Sequence, residues 1–191
     1  MDILNPKIQK AFDWLAKENG ENFLFSEEHC PTRDIFQGRL EKMNILLKSK
    51  SELSEVTPFI VVIVGEIGNN AFDHNLGNWR DEMGVYYYYD SAERYVVIAD
   101  RGLGLQTTLK RVRPEIHDDC TALTIAFKEV ITSRAPEKRG NGLKLVEKMV
   151  LAQNMKLDVY SGSGHYAIAH GETKCLSEKI THNGVIAVLE F

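Results

Sequence analysis

The sequence predicts an α+β two-layer sandwich: a mixed, largely antiparallel sheet with helices on one face, preceded by an N-terminal helical extension over residues 1–55. Three observations predict it. Helical periodicity fills the first third of the chain, two β-branched and aromatic runs follow as a hairpin, and a helical stretch then separates that hairpin from further strand candidates. At 191 residues, with 43% hydrophobic and 26% charged residues, the chain can bury a core without help from disulfides or a structural metal.

The elements follow in order. Asn5-Pro6 caps a first helix in which Ile8, Ala11, Phe12, Leu15 and Ala16 recur at helical spacing until Asn19-Gly20. After Cys30-Pro31, Thr32 caps a second helix through Lys48, with Ile35, Phe36, Leu40, Met43, Leu46 and Leu47 on one face. A polar run, Lys48 to Glu55, leads to Thr57-Pro58, the expected N-cap and first residue of a third helix ending near Asn75 to Gly77. Val85 to Tyr89 and Tyr95 to Ala99 form the hairpin around Asp90-Ser91-Ala92-Glu93. The tyrosines of that run, Tyr86 to Tyr89, alternate between faces and are expected to pack. A short helix near Thr107 to Arg111, a helix from Thr121 to Val130 and a helix from Gly142 to Gln153 come next. The tail offers three strands, Lys156 to Ser161, Tyr166 to His170 and Val185 to Phe191, separated by Ser161-Gly162-Ser163-Gly164 and Thr181-His182-Asn183-Gly184.

Charge narrows the partners. A net charge of -4 gives no electrostatic case for nucleic acid or an anionic membrane. Cys30, Cys120 and Cys175 are odd in number and far apart, so no disulfide framework or thiolate zinc site is expected, and a reducing cytosol fits best. No signal-like N-terminus or spanning apolar run is present, so a soluble cytoplasmic protein is expected. His29, His117, His165, His170 and His182 show no metal-ligand spacing.

Three short motifs carry the chemistry. On the third helix, Glu66, Asn70 and Asp73 or His74 recur every three or four residues and share one face of an otherwise apolar helix. Asp100-Arg101-Gly102-Leu103-Gly104 places a carboxylate at a strand end, followed by two glycines that admit a close backbone approach. Arg139-Gly140-Asn141-Gly142-Leu143 opens the last helix, where free N–H groups and the helix dipole favour phosphate. An Asn carbonyl suits Mg²⁺, which prefers hard oxygen ligands and keeps waters and substrate phosphates. Glu66, one turn away, can act as base or orient an attacking hydroxyl. Asp100 can accept a hydrogen bond from an adenine amino group and so reject guanine.

This set resembles the GHKL superfamily of ATPases and kinases, the histidine-kinase-like Bergerat fold shared by DNA gyrase, heat-shock chaperones, mismatch-repair ATPases, sensor histidine kinases and anti-sigma serine kinases. The resemblance spans about Thr57 to Phe191, which makes residues 56–191 the ATP-binding domain. Glu66, Asn70 and Ala71 match the N box; Asp100, Gly102 and Gly104 match D-x-G-x-G; Gly140, Gly142 and Leu143 match the G-x-G-L box. It implies ATP and Mg²⁺ as ligands, Glu66 as the catalytic residue and Asn70 as the metal contact. The adenine and phosphate contacts it implies are Asn70, Asp100, Gly102, Gly104, Ser133, Arg139, Gly140, Asn141, Gly142 and Leu143. The segment between the second and third motifs resembles the family's ATP lid, with Thr132, Ser133, Arg134, Lys138 and Arg139 as phosphate contacts.

The chain departs from the family at two points. Asn183-Gly184 precedes Val185 where a Gly-Thr step is common, leaving Thr181 as a weak substitute, and Leu143 is followed by Lys144 rather than a small glycine. The chain ends after its last strand, so no second domain is expected to donate a lysine, and Arg33 to Lys50 holds no phosphoacceptor His. The layout is most similar to a stand-alone anti-sigma serine kinase, acting on a protein substrate or regulatory partner in signalling. A non-catalytic, ATP-gated binding module is the alternative. Residues 1–55 are expected to add a helical layer or to form a homodimer.

Overall fold

The computed structural model describes residues 5–129 and 142–191. Six helices and five strands are present among them: α1 Pro6–Ala16, β1 His29–Cys30, α2 Arg33–Lys48, α3 Thr57–Asn75, β2 Val85–Asp90, β3 Tyr95–Asp100, α4 Leu105–Lys110, α5 Asp119–Lys128, α6 Gly142–Ala152, β4 Lys156–Ala169 and β5 Glu172–Glu190. The chain is an α+β fold in which helices pack on one five-stranded antiparallel sheet. Caps explain the helix starts: Asn5 accepts from the Lys7 amide at 2.9 Å, Thr32 from Ile35 at 3.4 Å and Asp118 from Thr121 at 2.7 Å. Thr57 departs from expectation. It is the first helical residue, behind Val56 as N-cap, and its hydroxyl donates back to the Leu53 carbonyl at 2.7 Å.

The sheet runs β1-β2-β3-β5-β4, and every hydrogen-bonded pair is antiparallel. The mixed character expected from sequence survives only in direction. Strands β3 and β4 point the same way, joined by the crossover through α4, α5 and α6, and β5 lies between them. The two-residue strand β1 was invisible to periodicity.

The C-terminal strands correct the sequence reading. Two long strands replace the three expected, because the Ser161-Gly162-Ser163-Gly164 stretch is a bulge rather than a turn, with register shifts at Ser161/Gly162 and Gly162/Gly164. Asp119 holds that bulge, accepting from the Ser163 amide at 2.8 Å and its hydroxyl at 3.0 Å. The reversal falls instead at His170-Gly171, both with positive φ, between the paired residues Ala169 and Glu172.

Period-2 alternation divides the sheet between two cores. Val85, Tyr87, Val96, Ile98 and Leu189 face α2, α3, α5 and α6. Tyr86, Tyr95, Val97, Ala99 and Val188 face the opposite way and are covered by Ala11, Trp14 and Leu15 of α1. The N-terminal helix is therefore an extra layer on the second face of the sheet. It is pinned at one end by the buried Glu28, which accepts from Lys7 at 2.6 Å and from Lys10. Burial raises the Glu28 carboxyl, and the two lysines outweigh it to leave a net lowering. At the other end the fully buried Arg101 donates to Asp81 Oδ1 at 2.7 Å, to the Lys17 carbonyl at 3.0 Å and to the Trp14 carbonyl.

The cysteines overturn the expectation of no disulfide. Cys120, at the start of α5, and Cys175, in β5, are disulfide-bonded across 55 positions of sequence. The residues' spacing held no hint of this because α5 and β5 meet only through the fold. Cys30 is free and buried, and burial pushes its thiol up to about 11. No helix among the described residues is long and apolar enough to cross a membrane.

Candidate functional site

Helix α3 lies over the sheet and its C-terminal half forms one wall of a cleft. Ile67, Asn70, Ala71, His74 and Asn75 line that wall. Ile98, Asp100, Val159, Val185 and Ala187 form the sheet side, and Gly104, Leu105, Thr108 and Leu143 complete the lining. The cleft leaves about 50 Å³ for the centres of water-sized atoms, within about 580 Å³ of empty space that includes its open mouth. Most of the lining is aliphatic, so the cleft is an apolar slot with a few polar groups, the usual form of a small-molecule site. Asn70 and Asp100, 30 positions apart in sequence, line the same space.

Asp100 ends β3 and is buried. Its Oδ1 accepts from the Gly102 amide at 2.9 Å and from Asn75 Nδ2 at 3.0 Å. Burial pushes its carboxyl up to about 6, against the lowering from those two donors. The folded acid thus holds its proton more tightly than the ordinary value of 3.8. Its contribution favours the fold below that value and is lost as pH rises through about 6, roughly 3 kcal/mol in all. A ligand that donates a hydrogen bond to the carboxylate pulls the equilibrium the other way. Affinity for such a ligand should therefore fall as pH drops from neutral through about 6, with proton release on binding measurable by calorimetry in buffers of different ionisation enthalpy. A pH-independent affinity would remove Asp100 from the binding interaction.

The two glycines of the second motif do different jobs. Gly104 lines the cleft with φ +75°, and a Cβ there would lie 3.1 Å from Ser161 Oγ. Ser161 Oγ in turn accepts from the Leu105 amide at 2.9 Å and so fixes the start of α4. Gly102 does not line the cleft; a Cβ there would coincide with the Asn75 amide.

Glu66 and Asn70 are half-buried on one face of α3. Glu66 does not line the cleft itself. Its Oε2 lies against the N-terminus of α6, where a Cβ on Gly142 would strike it and would lie 3.8 Å from Asn70 Nδ2. The described residues of the three motifs meet around α3: Asp100 and Gly104 at its C-terminal end, Asn70 in the middle, Gly142 and Leu143 near Glu66 and the cleft. Ser133, Arg139, Gly140 and Asn141 lie outside the described residues, as do Thr132, Arg134 and Lys138. Thr181 is exposed and does not line the cleft.

Sequence reasoning missed Asn75, which ends the stripe Ile60, Ile63, Val64, Ile67 and Ala71. A polar amide closing an apolar stripe was the signal, and the helix-end reading of Asn75 to Gly77 hid it. The sequence places Ser161 in a glycine-rich turn stretch and offers His74 as an alternative to Asp73 on the polar stripe.

The donor set bears on a metal. Among the described residues no three His, Cys, Asp or Glu side chains cluster to hold an ion. One amide oxygen on the cleft wall suits an ion carried in by phosphates and water.

The cleft belongs to an α+β sandwich of one antiparallel sheet, with the site between the sheet and the longest of its described helices. No family model matches the chain, and no curated protein matches it. Among solved structures it is similar to the crystal structure of the 43K ATPase domain of Thermus thermophilus gyrase B in complex with an aminocoumarin. The identity is 17% and the TM-score 0.40, over 67% of this chain and 32% of that one. The chain spans about a third of the length of that neighbour.

Proposed function

We propose that this chain binds Mg-ATP as a GHKL-type protein and passes the terminal phosphoryl group to a serine hydroxyl of a protein partner, leaving ADP. One observation carries the reading: a buried carboxylate, Asp100, and a helix amide, Asn70, share an apolar cleft next to the glycine-opened helix α6. The aliphatic walls suit a flat ring, and Asp100 is the buried acceptor among them. Asn70 would hold Mg²⁺ together with the phosphates, and the ion would neutralise charge on the transferred group. Glu66 Oε2, one turn along α3, would orient the attacking hydroxyl and take its proton.

Calorimetry with Mg-ATP and Mg-GTP tests the binding step. ATP should bind and GTP should bind far more weakly. Asp100→Asn should weaken ATP by roughly 1–3 kcal/mol. The asparagine can turn only one acceptor oxygen, so its NH₂ must face either the Gly102 and Asn75 donors or the ligand's amino group. Absence of heat with ATP, or an unchanged affinity in the variant, would overturn the reading.

A further inference from the structure

We propose that Asn75 is the positioning residue that aims Asp100 at its ligand, and so sets how sharply the cleft separates a purine carrying an exocyclic amino group from one lacking it. The inference rests on the adenine-reading role of Asp100 above. Asn75 is 4% exposed and its amide is held at both ends. Its Nδ2 donates to Asp100 Oδ1 at 3.0 Å, and its Oδ1 accepts from the Leu103 amide at 3.2 Å. The Leu103 amide can only donate, so the Asn75 side chain has one orientation; turned over, its oxygen would face the carboxylate and its NH₂ the Leu103 N–H.

The Gly102 amide reaches the same carboxylate oxygen at 2.9 Å. Both protein donors thus fall on Oδ1, and Oδ2 keeps its lone pairs for the cleft that Asp100 lines. The glycine at position 102 is fitted to this arrangement, because any Cβ would occupy the place of the Asn75 amide. The motif and the helix end form one unit.

Few charged groups compete with this control. His74 on α3 lines the same cleft, and Glu66 lies farther along α3 against Gly142. The Arg101 guanidinium is committed to Asp81 and the end of α1. From β2, β5, α4 and α6 the neighbours are Val85, Val185, Leu105 and Leu143. Removing the Asn75 amide takes one of two donors from Oδ1, frees the carboxylate to turn and favours its protonated form.

The experiment compares Asn75→Leu and Asn75→Ser with the parent, using Mg-ATP and the Mg-triphosphate of purine riboside, which lacks the 6-amino group, titrated from about pH 5 to about pH 8. The parent should prefer ATP. In Asn75→Leu the ATP affinity should fall about tenfold or more while the other triphosphate changes little, so the preference collapses. The pH at which ATP affinity falls away should move upward in the variant. A merely structural role would weaken both nucleotides equally and leave that pH in place, which overturns the proposal. Should Asn75→Leu fail to fold by circular dichroism, Asn75→Ser carries the same comparison. A parent that binds neither nucleotide overturns the adenine reading and this inference together. A parent that prefers ATP, with variants that keep both the preference and the pH, overturns this inference alone.

Discussion

Arg101→Ala should unfold the protein more readily by about 3–5 kcal/mol, the cost of breaking a buried ion pair, which for a chain of this size lowers Tm on the order of 10 °C. The guanidinium is fully buried and spans three partners, Asp81, the Trp14 carbonyl and the Lys17 carbonyl. It also sits 5.7 Å from the Trp14 ring centroid. Alanine would take the guanidinium from Asp81, which keeps only the Gly20 and Glu82 amides and the more distant Arg80, and from the Trp14 carbonyl, and would open a cavity between α1 and the sheet. Arg101→Lys should recover little, since an ammonium cannot reproduce the planar fork. Thermal unfolding followed by circular dichroism measures the effect, and a loss under about 1 kcal/mol would show that α1 docks without this clamp. Arg101 follows Asp100 directly, so the same variants should also weaken nucleotide binding if the α1 layer helps hold the end of β3 in place.

The second large effect is expected at Glu66. Glu66→Gln should leave ATP affinity unchanged and slow phosphate release or transfer by about 10²–10⁴-fold, the range for a lost general base. The substitution keeps the side chain's shape beside Gly142 and removes only its ability to take a proton. Calorimetry and a phosphate-release assay on the same preparations separate the two effects. Equal turnover in variant and parent would remove Glu66 from the chemistry. A parent that binds ATP without turnover would make the chain a nucleotide-gated binding module.

Much of this architecture is written locally. Asn5-Pro6, Thr32 and Asp118 mark helix starts because a capping side chain satisfies orphan N–H groups within three residues of itself. The strand expected over Tyr95 to Ala99 is found as Tyr95–Asp100 because its residues alternate between two apolar layers. The candidate site was legible in part for the same reason: Glu66 and Asn70 share a helix face by spacing alone, and Asp100 ends a strand wherever that strand is placed.

What the sequence could not reveal is non-local. A Gly-rich stretch is a turn or a bulge according to what lies across from it, and Asp119 decides that Gly162 and Gly164 stay within β4. The Cys120–Cys175 bond requires α5 and β5 to meet. The role of Gly102 depends on Asn75, 27 positions earlier. Local sequence specifies several helix starts and the hairpin of β2 and β3, because backbone capping and side-chain periodicity act over a few residues. Only the tertiary structure decided strand order, the second-face position of α1 and the hydrogen bonds that orient Asp100, because those depend on which distant surfaces exclude water from one another.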